Sequence, residues 1–153
     1  FEYPNQYKFP PKKKDRFFDA ESLVYKNGFL YIFTKSRVKG ESGKTTLYKI
    51  PAVKGNHVAK RISTFKTCTD LLCSITAAAI SPNGKKVALL NHQSVFIFTN
   101  FVDDDFFSGD VKEFPLGHVS QKESISFKDD ITLYIADEKT KSLGGKLYEF
   151  KIK

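Results

Sequence analysis

The sequence predicts an all-β fold assembled from β-propeller blades, and three observations carry that expectation. Hairpin-forming units recur along the chain, each is followed by a third apolar run in the same order, and no stretch holds a long apolar period of 3.6 residues. The 153 residues suffice for one core, and 15 Phe and 7 Tyr supply aromatic bulk suited to pleated, half-buried surfaces.

The first unit opens with Ser22-Leu23-Val24-Tyr25, turns at Lys26-Asn27-Gly28 and returns through residues 29–33. A third strand over 46–50 and a fourth over 58–65 follow. The second unit joins residues 77–80 to 87–90 through Ser81-Pro82-Asn83-Gly84, where Pro sets the first corner of a β-turn and Asn-Gly closes it. Residues 94–98 and 111–116 are its third and fourth strands. The third unit pairs 124–127 with 132–135 across Lys128-Asp129-Asp130 and adds 146–150, with no fourth run. Residues 69–79 are the best helical window, but they are short and lead straight into a hairpin, so they read as loop plus strand.

A repeat of about 50 residues that forms a four-stranded antiparallel meander is the mark of a propeller blade. A plain sandwich with similar hairpins has no reason to keep hairpin, third strand and outer strand in one order. The organisation expected is therefore an outer strand and linker over 1–17, a blade over 18–66, a blade over 75–117 and an incomplete blade over 121–153.

The net charge of +8 raises nucleic-acid binding, and the kind of charge speaks against it. Only Arg16, Arg37 and Arg61 are arginines, whereas bidentate recognition of bases and phosphates favours Arg over Lys. The lysines are spread over turns and strand edges, where they oppose edge-to-edge aggregation. Lys12-Lys13-Lys14 is the one cluster and reads as a solvated loop, with contact to an anionic polymer or lipid headgroup as its alternative. No run of 18 apolar residues exists, so no helical membrane span is expected. The sequence starts at Phe1, without initiator Met or signal peptide, which reads as a processed or truncated product.

Cys68 and Cys73 lie five positions apart, wider than the usual zinc pair, and His57, His92 and His118 add no ligand spacing. In an exported protein they form a local disulfide, and in a reducing compartment they are two free thiols. The disulfide is the expectation adopted.

Asp19-Ala20-Glu21-Ser22-Leu23, the run 30–35, the stretch 75–90 and Gln121-Lys122-Glu123-Ser124-Ile125 together resemble a group of exported bacterial β-propeller proteins. In that group D-x-E, T-x-A-x-I-S-P-x-G and Q-x-E-x-I segments open successive blades. The resemblance covers most of the chain and implies a six-bladed or similar ring, of which these residues form the C-terminal half. It also implies export to the periplasm, cell surface or medium, with no assured activity. The middle blade departs from the acidic pattern, since Thr76 or Ala77 stands where Glu21 and Glu123 stand in its neighbours.

Asp19, Glu21 and Glu123 precede the innermost strands of two blades, so they are the candidate metal ligands. Converging carboxylates suit Ca²⁺, which takes about six to eight oxygen ligands. Pairing with Lys or capping of backbone N–H groups is the structural alternative. Asp103-Asp104-Asp105 lacks the glycine and distal Glu of an EF-hand and reads as an inter-strand loop. No nucleophile elbow, phosphate loop or HExxH segment occurs, so no catalytic residue is assigned.

The function expected is a non-catalytic exported interaction or scaffold module in a larger envelope assembly. The alternative is a metal-dependent hydrolase of the lactonase or phytase-like kind. Three blades are too few to close a ring, since propellers have about four to eight. Residues 1–9 alternate aromatic and polar residues as the outer strand of an earlier blade, or as the missing strand of the third. The remaining surface is expected from more of the same polypeptide, a second copy or another protein, in that order.

Overall fold

The computed structural model describes residues 1–141 and 143–153. Among these, eleven strands form three antiparallel sheets, and the chain divides into two units, residues 1–75 and 76–153. No helix among the described residues is long and apolar enough to cross a membrane.

The first unit holds one sheet in the order β1 (Asp19–Lys26), β2 (Phe29–Lys35), β3 (Lys44–Pro51) and β4 (Lys60–Lys66). Asn27 and Gly28 join β1 to β2 with φ of 50° and 80°, the paired left-handed conformation of a two-residue hairpin loop. Alternation sorts the side chains onto two faces. Ile32, Tyr48 and Ile50 line one face with Ala59, and Tyr3, Phe18 and Leu30 pack against them. Tyr31, Phe33 and Leu47 occupy the intervening positions and are also buried.

The N-terminal strand expected over residues 1–9 does not form. Glu2 makes a single parallel bridge to Val58, donating to the His57 carbonyl and accepting from Ala59 N. The chain then turns, with Gln6 N donating to Tyr3 O at 3.2 Å. Pro4 has no N–H to continue a ladder, which stops the strand after one contact. Tyr3 instead anchors the segment by packing on Phe18 and Tyr48, with ring centroids 5.2 and 4.7 Å away. The lysine cluster falls at a short, exposed 3₁₀ turn, Lys13–Asp15.

A stapled loop closes this unit. Cys68 and Cys73 form a disulfide with Cα atoms 5.6 Å apart, around a 3₁₀ turn, Leu71–Cys73, whose first N–H groups are capped by Asp70. Thr67 Oγ1 donates to Cys73 O at 2.7 Å, and Ser74 Oγ donates to Ser42 O at 2.9 Å. Gly43 approaches this loop so closely that any Cβ there would collide with the Cys68 carbonyl.

The second unit holds two sheets. One has the order β5 (Ala77–Ile80), β6 (Val87–Leu90), β7 (Ser94–Thr99) and β8 (Asp110–Pro115). The other has β10 (Thr132–Asp137) between β9 (Lys122–Asp129) and β11 (Leu147–Lys151). The Ser81–Gly84 turn is held by Gly84 N donating to Ser81 O at 2.8 Å, with Gly84 at φ 70°. Ala77, Ala79 and Ala88 share a core with Leu90, Val95 and Ile97 from their own sheet and Ile125, Leu133 and Ile135 from the other. The run of alanines on β5 thus lets β9 approach closely, because a methyl group occupies the space that a larger side chain would fill. Residues 103–105 lie in the loop between β7 and β8, where Asp105 Oδ1 accepts from Phe107 N at 3.2 Å.

Leu133 has no solvent exposure and sits at the centre of this shared core. Leu133→Ala should destabilise the protein by about 2–5 kcal/mol through lost transfer energy and a residual cavity. Urea unfolding followed by tyrosine fluorescence measures the change, and a loss well under that range would contradict the placement of this core.

Candidate functional site

Asp19 and Glu21 stand at the start of β1, where the register to β2 slips between Ala20 and Ser22. Glu21 is therefore the extra residue of a β-bulge, a device that re-aims a side chain out of the regular pleat. Both carboxylates meet Arg37 from the loop after β2. Arg37 Nε donates to Asp19 Oδ2, and Nη2 donates to Glu21 Oε1 at 3.0 Å. Lys35 Nζ lies 3.7 Å from the same Glu21 oxygen. Arg37 N also donates to Arg16 O at 2.8 Å, so this residue ties the entry of β1 to the exit of β2.

Burial raises the Glu21 carboxyl above the ordinary range; Lys35 and Arg37 oppose that rise and the neighbouring Asp19 adds to it. The Arg37 guanidinium is held firmly charged by its hydrogen bond to Asp19. A cavity of about 210 Å³ opens beside the pair, walled by Gln6, Phe9, Pro11, Arg16 and Phe18. Burial pushes the nearby Tyr3 phenol up to about 12, with Tyr48 and Asp19 adding to it.

Glu123 occupies the matching place in the third sheet. The β9–β10 register slips between Lys122 and Ser124, which makes Glu123 the bulged residue there, with its side chain exposed. The intervening sheet has no bulge: Ala77 through Ile80 pair in unbroken register with Leu90 through Val87. Thr76, at the corresponding position, is buried and donates through Oγ1 to the Lys122 carbonyl at 2.6 Å. The structure thus joins Asp19 and Glu21 through Arg37, and sets Glu123 in an equivalent bulge of the second unit. Among the described residues, no group of three or more His, Cys, Asp or Glu side chains is placed to hold a metal ion.

A polar knot that the sequence did not point to lies at the start of β9. Lys122 is buried, and its ammonium donates to His92 O, His118 O and Ser120 Oγ at 3.1, 3.0 and 3.0 Å. Burial lowers its affinity for the proton, and Asp137 acts the other way. Burial also penalises the charge on Asp137, yet hydrogen bonds from Lys146 N and Tyr148 Oη, at 2.7 and 2.8 Å, keep its carboxyl below the ordinary range. The acceptors around Lys122 are mostly backbone carbonyls, which explains its invisibility in the residue types. Arg37 was concealed differently: it lies 16 to 18 positions from its carboxylates and meets them only once β1 and β2 pair.

No protein-family model and no curated protein matches the chain. Among solved structures it is similar to Saccharomyces cerevisiae Sqt1, with 6% identity, 88% of this chain and 35% of that chain covered, and a TM-score of 0.51. It is also similar to Kluyveromyces lactis Hsv2, with 15% identity, 78% and 38% covered, and a TM-score of 0.47. The chain thus spans well under half of either structure, and at such identities the likeness concerns the fold alone.

Two measurements test these electrostatics. In Arg37→Gln the Glu21 carboxyl should titrate still higher, because a lowering charge is removed; ¹³C-detected NMR titration reads this, and a downward move would contradict the pairing. The stability change should stay within about 1 kcal/mol, since the pair is half exposed. Asp137, with its folded-state pKa depressed, stabilises the fold at neutral pH, and that contribution is lost as pH falls below the ordinary aspartate range. Asp137→Asn should therefore lower the melting temperature at pH 7 and narrow the gap to wild type in strong acid. A gap that stays constant with pH would overturn the assignment.

Proposed function

We propose that this chain is a segment of a β-propeller that acts as a non-catalytic interaction module of an exported, envelope-associated assembly. Three successive antiparallel meanders of one strand order support the propeller reading, as does the fold likeness to the Sqt1 structure. The observation that carries the interaction reading is the apolar face of the first sheet. Leu23 and Tyr25 on β1 pair with Ile32 and Leu30, on the face that Tyr3 and Phe18 cover, yet they remain 53% and 61% exposed. Large apolar side chains left open beside a covered core mark a surface that another protein surface completes. The Cys68–Cys73 disulfide supports an oxidising compartment.

Charge supports a place for peripheral contact. Residues 1–75 carry 15 Lys and Arg against 6 Asp and Glu, whereas residues 76–153 carry 10 against 11. Attraction to anionic headgroups would act through the first unit. Asp19 and Glu21 give their oxygens to Arg37 and Lys35, which favours a structural tie over an ion-holding role and hence the module over the hydrolase.

Light scattering tests the proposal. At micromolar concentration the chain should self-associate, or remain monomeric only once it is joined to its completing partner. A stable, soluble monomer of residues 1–153 would overturn it.

A further inference from the structure

The chain between Tyr3 and Phe18 is pinned at both ends and projects between them. On its entry side Tyr3 packs against Phe18 and Tyr48, and Tyr48 Oη donates to Asn5 Oδ1 at 3.0 Å. On its exit side Arg16 O accepts from Arg37 N at 2.8 Å, and the Lys44 ammonium lies 4.7 Å from the centre of the Phe17 ring. Pro10 and Pro11 stiffen the middle, since each fixes its own φ. Two aromatic rings stand out from this held loop: Tyr7 is 89% exposed and Phe9 91%. Neither ring contributes to a core, so packing accounts for neither. The same loop carries Lys8, Lys12, Lys13, Lys14 and Arg16 against Asp15 alone, five positive charges less one negative, a net +4. None of these four lysines has an ion-pair partner among the described residues. The two arms of the loop lie side by side. Tyr7 and Lys8 share a cavity of about 350 Å³ with Asp15 and Phe17, and Phe9 shares one of about 210 Å³ with Arg16. The aromatic tip and the basic turn therefore adjoin.

We propose that residues 7–16 form a contact loop for an anionic bilayer surface, with Tyr7 and Phe9 seated among the headgroups and the lysines set against the lipid phosphates. This rests on the envelope-associated reading given above and names the surface that makes the contact. Aromatic side chains settle at the boundary between water and hydrocarbon, where an apolar ring and a polar tip each find a suitable setting. Each lysine close to an anionic surface adds roughly fivefold in affinity. Neither signal alone holds a protein firmly, and this loop supplies both. Its charge calls for an anionic occupant, and the kind of charge selects among anions. Four of its five cations are Lys, point charges that suit a diffuse layer of headgroups, whereas nucleic acid favours the planar fork of Arg. Pro10 and Pro11 have no N–H to offer a partner strand, which speaks against docking of protein backbone. Because both ends are already pinned, the loop loses little conformational freedom on binding.

Co-sedimentation with vesicles of equimolar phosphatidylglycerol and phosphatidylcholine tests this, with phosphatidylcholine alone as the neutral reference. The chain should bind the anionic vesicles at least about tenfold more tightly than the neutral ones, and raised salt should release it. Replacing Lys12, Lys13 and Lys14 together by Gln should weaken binding by about a hundredfold. Tyr7→Ser combined with Phe9→Ser should weaken it by about tenfold or more. All five side chains are exposed, so both variants should keep the wild-type melting temperature. Should either misfold, spin-labelled anionic vesicles decide with the wild-type chain, by broadening the amide signals of Tyr7 and Phe9 before those of the strands. Equal binding to both kinds of vesicle, or full binding by the Tyr7 and Phe9 variant, would overturn the proposal. So would a single-stranded oligonucleotide that binds more tightly than the vesicles and displaces them, which would assign the loop to nucleic acid. A chain that self-associates in light scattering yet ignores anionic vesicles would refute this loop and leave the module reading standing. A stable monomer that binds them would refute the module and leave the loop.

Discussion

Strand alternation gives each sheet of this protein an apolar face, Ile32, Tyr48 and Ile50 in the first, and such a face must be covered. In residues 76–153 the requirement is met mutually, because sheets two and three bury Leu90, Val95, Ile125, Leu133 and Ile135 against each other. The small side chains of β5 make this possible, since Ala77 and Ala79 leave room for β9 to lie close. In residues 1–75 the cover is irregular chain. Tyr3 and Phe18 lie over Tyr48, Ile32 and Ile50, and the part of the face nearest Leu23 and Tyr25 stays open.

The polar architecture follows from the same packing. Buried charge in a β fold is tolerated only when hydrogen bonds surround it, and Lys122 meets this condition with three acceptors from two loops and its own strand entry. Its role is to fasten the loops that precede β9, while its carbonyl receives the Thr76 hydroxyl. Arg37 does similar work in a wetter setting, where its energy contribution is small but its geometry holds the bulge at Glu21. Carboxylates at Glu21 and Glu123 are thus explained first by bulges that recur at two strand entries.

Strand positions were legible because turns and alternation are local properties. The Asn27-Gly28 and Ser81–Gly84 turns and the three-strand count of sheet three were all readable, since positive φ at glycine and a period of two depend on few neighbours. The segment 1–9 misled because its aromatic-polar alternation suits a strand, while Pro4 and the pull of Tyr3 toward Phe18 and Tyr48 compete with pairing. Alternation records what a strand would need and says nothing of whether a neighbouring edge is there to receive it.

The sequence by itself determined the all-β class, the hairpins, the order of strands within each sheet and the closeness of Cys68 to Cys73. Tertiary structure alone decided that Asp19 and Glu21 are claimed by Arg37 and that Lys122 is buried among carbonyls. The division has a physical cause. Turn chemistry and pleat act between residues a few positions apart, whereas ion pairs and buried ammonium groups depend on which distant segments meet when the sheets pack.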